Sequence, residues 1–177
     1  MSTEDVENIA AETQLVYTHV AFKMVQATAV VAPPLSLARQ LYRKNFSANR
    51  WLRNSAAWTF LFGSTTGLAM AYGRLRNEEP IAIYDRAFRL RSNATQVRVD
   101  DYSKVGALLG ALITTTVFYR RASIVNNLAG GAALGIGGGV ITHIIQSFQS
   151  GGSKAVEDEV QSLPDPKALA EGIKDGT

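Results

Sequence analysis

The run AGGAALGIGGGVI, Ala129–Ile141, places six glycines among thirteen residues, and the rest are alanine or aliphatic. In the interior of a water-exposed helix a glycine costs about 1 kcal/mol relative to alanine. Three structures could carry such a run: a flexible soluble loop, a phosphate-cradling turn, or a helix that meets another backbone closely. The loop is disfavoured because Val140, Ile141, Ile144 and Ile145 continue the apolar stretch. The phosphate turn is disfavoured because GIGGG lacks the context and partner residues of a dinucleotide fingerprint. The helix remains. Gly131, Gly135 and Gly139 recur every four residues and so share one face. Gly63 with Gly67, and Gly106 with Gly110, repeat the spacing in two other apolar runs. In lipid no hydrophobic force draws helices together, and close packing of backbones over small residues takes its place.

The distribution of charge points the same way. The chain has 177 residues, with 18 Lys and Arg against 15 Asp and Glu, but they are unevenly spread. Lys23 is the lone charge between Leu15 and Arg39, and none occurs in 54–73, 105–119 or 122–152. A spanning helix needs about 20 mainly apolar residues. Runs near 15–37, 55–73, 103–119 and 124–148 approach or meet that length, the third only by borrowing its ends. These runs lack the polar stripe of a soluble bundle helix. The reading is an all-α membrane protein with four transmembrane helices and GxxxG-type packing. An acidic head covers 1–14 and a polar, net acidic tail covers 149–177. Pro33-Pro34 should kink or stop the first helix. The chain has no cysteine, which excludes disulfides and thiolate metal sites.

The connections differ in character. The first carries Arg39, Arg43, Lys44, Arg50 and Arg53, with Tyr42, Phe46 and Trp51 among them and no acid. The third is the tight Arg120-Arg121 turn. Bases and aromatics together mark a headgroup boundary, so these seven cations are candidate lipid-headgroup contacts. Their density favours placing both turns on the inner side. The second connection, about 74–101, is longer and mixes both signs. Its segment PIAIYDRAFRLR can form a short helix with Ile81, Tyr84 and Phe88 on one face, lying on the membrane surface or packed on its own protein.

A search for chemistry returns little. His19 and His143 each lie inside a presumed span without an acid in any span to pair with, so a hydrogen bond to a neighbouring helix outweighs a metal or proton role. Lys23 either serves a function within the membrane or snorkels toward the headgroups. No nucleophile–base pair, paired carboxylates or metal set is legible. The expectation is a protein without catalytic, cofactor or metal sites.

VRVDD (Val97–Asp101), the GALLGAL glycine pair, a third span, a basic turn and a glycine-rich fourth span follow one another in a recognisable order. That order resembles the mitochondrial inner-membrane family containing the channel subunits of the presequence and carrier translocases. The resemblance covers about 15–148. Within that family, the small-residue first span ending in Pro33-Pro34, the Asp100-Asp101 pair and the acid-free spans are most similar to the accessory subunit of respiratory complex I (NADH:ubiquinone oxidoreductase), in a fungal form. The family's arginine–aspartate signature before the third-helix glycines is met approximately by Arg98 and Asp101, and the second connection and tail are longer than in typical members. The resemblance implies a multi-pass protein of the mitochondrial inner membrane with both termini in the intermembrane space. It implies no redox centre, and as partners other membrane-arm subunits, phospholipids such as cardiolipin, and respiratory supercomplex neighbours, but no nucleic acid. The alternative it carries is a channel-type translocase subunit, which would need a polar face on the first two helices. Helix two offers only Thr59, Ser64, Thr65 and Thr66.

Overall fold

A computed structural model describes residues 3–149, and the expected acidic tail falls outside them apart from its first residue. Among the described residues the chain is helical without strands. In order come α1 (Thr3–Tyr42), α2 (Ala48–Ala56), a π-helical segment (Ala57–Phe62), α3 (Gly63–Leu75), α4 (Pro80–Ser92), α5 (Ala94–Phe118) and α6 (Ile124–Gln149). The described residues up to His143 form one compact unit, and 144–149, the end of α6, are the described part of a second.

The acidic head is no separate element, since α1 runs unbroken from Thr3. Pro33-Pro34 does not stop it either. A proline at 33 removes the N–H that would bond the Ala29 carbonyl. In this fold Pro33 is fully buried, and a Cβ placed on Gly137 of α6 would fall on that same Ala29 carbonyl. The neighbouring backbone thus packs where the ladder is interrupted, the usual condition under which proline persists in an apolar helix. The Pro33 carbonyl accepts from Trp51 Nε1 at 3.0 Å and from Ser36 Oγ at 2.9 Å. The helix ends instead at Tyr42, and the turn that follows takes Lys44 to a left-handed φ of 50°.

The expected second helix is longer than its apolar run, continuing from Ala48 to Leu75 through the π segment. Most of the expected 2–3 connection is also helical, and VRVDD lies in the first turns of α5. In α4, Ile83 and Ala87 pack with Val16 and Leu75, while Ile81, Tyr84 and Phe88 point outward. The helix therefore docks on its own protein by one face and leaves the other uncovered.

Among the described residues two helices are long and apolar enough to cross a membrane, Ile9–Tyr42 within α1 and Ile124–Gln149. The other two expected spans are diluted. Hydroxyls and glycines interrupt 55–73, and charges occupy the start of α5, leaving 105–118 as its apolar part.

Contacts at the glycines set the topology. An added Cβ at Gly67 would lie 2.6 Å from Ala21 Cα, and one at Gly63 would lie 2.5 Å from Thr28 Oγ1, so α3 runs antiparallel to α1. Gly106 faces Gly135, Gly110 faces Gly131, and Gly139 faces Tyr102, each against a backbone carbonyl, so α5 and α6 form a second antiparallel pair. Gly130 and Gly137, on another side of α6, meet Leu52 of α2 and Ala29 of α1, joining the two pairs.

Candidate functional site

One end of the bundle gathers the turns after α1 and α5, and the other gathers α4 and the start of α5. At this second end a polar junction links α1 to α5. Lys23 and Gln26 stand one turn apart on α1, and Asp100 and Ser103 one turn apart on α5. Lys23 Nζ donates to Asp100 Oδ1 at 2.6 Å and to Gln26 Oε1 at 3.1 Å. Gln26 Nε2 donates to the same Asp100 oxygen at 2.8 Å and reaches Ser103 Oγ at 3.1 Å. Ser103 Oγ donates in turn to the Val99 carbonyl at 2.9 Å. Gln26 and Ser103 are buried, and the Lys23 and Asp100 side chains are 26% and 19% exposed. Lys23 is therefore neither unpaired nor snorkelling: an acid on α5 neutralises it. Around the junction, His19 lines a small crevice with Phe22, Leu90 and Arg91. The buried His143 meets the Tyr102 ring edge-on at 5.7 Å between centroids.

The expected family-motif residues separate. Asp100 enters the junction, Asp101 pairs with Lys104 on the exposed face at 3.3 Å, and Arg98 is exposed. The signal for the junction was the pair of i,i+3 polar steps, Lys23/Gln26 and Asp100/Ser103, each inside or beside an apolar run. What could not be read was that they face each other. Among the described residues no three His, Asp or Glu side chains gather to hold a metal. The junction is a closed set of donors and acceptors suited to holding two helices in register.

At the opposite end the turns are tied by amides. Asn49 Oδ1 accepts from Ser123 N at 3.1 Å and from Asn126 Nδ2 at 2.7 Å. Thr114 Oγ1 donates to the Asn127 carbonyl at 2.7 Å. All seven candidate headgroup cations, Arg39, Arg43, Lys44, Arg50, Arg53, Arg120 and Arg121, are exposed here. None appears in an ion pair among the described residues, whereas those at the other end are largely paired.

These features define a class: an all-helical protein whose helices meet backbone to backbone, two of them apolar and long enough to cross a membrane. The chain belongs to the family described as Protein of unknown function (DUF1757), which matches residues 1–146. No curated protein and no solved structure matches it.

Proposed function

We propose that this protein is a four-span, non-catalytic subunit of the mitochondrial inner membrane that stabilises the membrane arm of respiratory complex I. The observation that carries the membrane part is the inverted distribution of polarity. Gln26, Ser55, Thr59, Ser103, Thr114, Asn127 and His143 are buried, while Leu61, Leu68, Met70, Leu108, Leu112, Ile113 and Val117 stand on the surface. A water-soluble bundle puts its large aliphatic residues inside. Here they clothe the π segment with α3, and α5, the stretches whose hydropathy is diluted by inward glycines and hydroxyls. Such a surface suits hydrocarbon or other transmembrane helices.

The assignment to complex I rests, within the family suggested by the order of VRVDD, paired glycines, basic turn and glycine-rich last span, on the small-residue first span with Pro33-Pro34, the Asp100-Asp101 pair and the acid-free spans. On this reading the unpaired basic end faces the matrix and both termini face the intermembrane space. The paired end and the outward face of α4 then meet neighbouring subunits, and the apolar flanks meet lipid or supercomplex partners. The decisive test is a native gel of mildly solubilised mitochondrial membranes, blotted for this chain beside an in-gel NADH dehydrogenase stain. Co-migration with the stained band is expected, and migration in a smaller, unstained assembly would overturn the assignment.

The second reading is a channel-type translocase subunit, favoured by the same family order and the charged Arg98 and Asp101 before the α5 glycines. It requires that precursor import fall when the chain is depleted, while complex I assembly stays intact.

A further inference from the structure

A groove of about 1140 Å³ runs along the C-terminal half of α1, where α2 and the π segment face it. That exceeds the roughly 300–1,000 Å³ of ordinary ligand clefts. Its bed is apolar, with Val31 and Leu35 from α1 and Trp58 and Phe62 from the π segment. These two aromatics lie edge to face at 5.2 Å. Arg39, Arg43 and Arg50 line the same groove where α1 ends and α2 begins, and no acid lines it. A fourth polar group lies among them. Gln40 is 6% exposed, its Oε1 accepts from Ser47 N at 3.0 Å, and its Nε2 is a buried donor without a partner. The Ser47 bond fixes which end of the amide is the nitrogen.

From Arg39 back to Thr28, the lining residue nearest the start of α1, the helix rises about 16 Å at 1.5 Å per residue. That is close to one leaflet of a hydrocarbon core about 30 Å thick. Cations at one end, an unanswered donor beside them and an apolar trough one leaflet deep match a single molecular shape. We propose that this groove holds one anionic phospholipid, its phosphate between Arg39, Arg43 and Arg50, a glycerol-ester or phosphate oxygen on Gln40 Nε2, and an acyl chain against Trp58 and Phe62. The proposal rests on the membrane reading above but not on complex I. It also separates these three arginines from Lys44, Arg53, Arg120 and Arg121, which share the basic end without lining the groove.

Trp58 reports on the site directly. The full-length protein is reconstituted in phosphatidylcholine vesicles containing increasing fractions of dibrominated phosphatidylglycerol or, separately, dibrominated phosphatidylcholine. Tryptophan quenching is read against a Trp58→Phe variant, which isolates its signal from Trp51. Half-maximal quenching of Trp58 is expected at a roughly tenfold lower fraction of the anionic lipid. Arg39→Gln/Arg43→Gln/Arg50→Gln should abolish that preference and Gln40→Leu should weaken it, while Arg120→Gln/Arg121→Gln preserves it. Equal quenching by both lipids, or a preference that survives the triple variant, overturns the groove proposal and leaves the membrane reading standing. Absence of quenching by either lipid overturns the membrane reading itself.

Discussion

The two ends of the bundle handle charge in opposite ways. Around α4 and the start of α5, acids within the chain answer the bases: Lys23 with Asp100, Arg86 with Glu78, Arg91 with Glu12, Arg89 with Asp85, Lys104 with Asp101. At the end where α1 meets α2 and α5 meets α6, seven bases stand without an acid among them. The first end largely answers its own charge, and its pairs contribute to holding the helices in place. The second leaves its counter-charge to be supplied from outside, so it is suited to binding. Charge removed from the first end should cost stability, and charge removed from the second should cost partners.

The largest effect should come from breaking the glycine seam that joins the two ends. Gly106→Leu forces a side chain onto the Gly135 carbonyl and should destabilise the fold by about 3 kcal/mol or more. Gly138→Leu, where a Cβ meets nothing within 4 Å, is the matched control and should be close to neutral in thermal unfolding in detergent. Leucine is the better helix former at both positions, so a comparable loss at both would mean that the Gly135 contact does not govern the seam.

Next comes the paired end. Asp100→Ala strands the Lys23 ammonium beside the buried Gln26 and Ser103. Full burial would make that loss about 3–5 kcal/mol, and the partial exposure of both groups reduces it to about 2 kcal/mol. Adding Lys23→Met should recover much of it, so a double-mutant cycle that gives no coupling would remove the junction from the account.

At the open end, Arg43→Gln should change stability by no more than about 0.5 kcal/mol, because no partner is lost. Its consequence belongs to lipid selectivity. A stability loss equal to that of Asp100→Ala would erase the contrast between the ends.

The smallest effect concerns Asp85. Its hydrogen bond from Arg89, reinforced by the charges of Arg89 and Arg86, holds its carboxyl below the usual carboxylate range. A lowered folded-state pKa contributes stability above the unfolded value and loses it as pH falls through the folded one. Asp85→Asn should therefore remove a small acid-side component of the unfolding profile and leave neutral pH almost unchanged. Both side chains are exposed, so a large effect at pH 7 would implicate a partner docked on α4.

Glycine spacing, acid-free runs and purely basic turns are properties of the sequence itself. Backbone approach in an apolar setting demands small residues at fixed intervals, and a run without acids constrains its environment whatever its neighbours. The all-helical class, the glycines at 63, 67, 106, 110, 131, 135 and 139, and the basic character of two turns were legible on those grounds. Lys23 was legible as an anomaly, but its partner was not, because residues 77 positions apart are brought together only by the way α1 and α5 pack. The same holds for Pro33, whose persistence inside α1 depends on Gly137 from the far end of the chain. It holds also for the groove, where Arg39 and Arg50 belong to different helices and Trp58 faces it from a π segment that no periodicity announces. Local composition determined which residues could tolerate close packing or apolar surroundings. Which of them meet was decided by tertiary structure, because a pairing between distant segments is a property of helix order and crossing rather than of any single run.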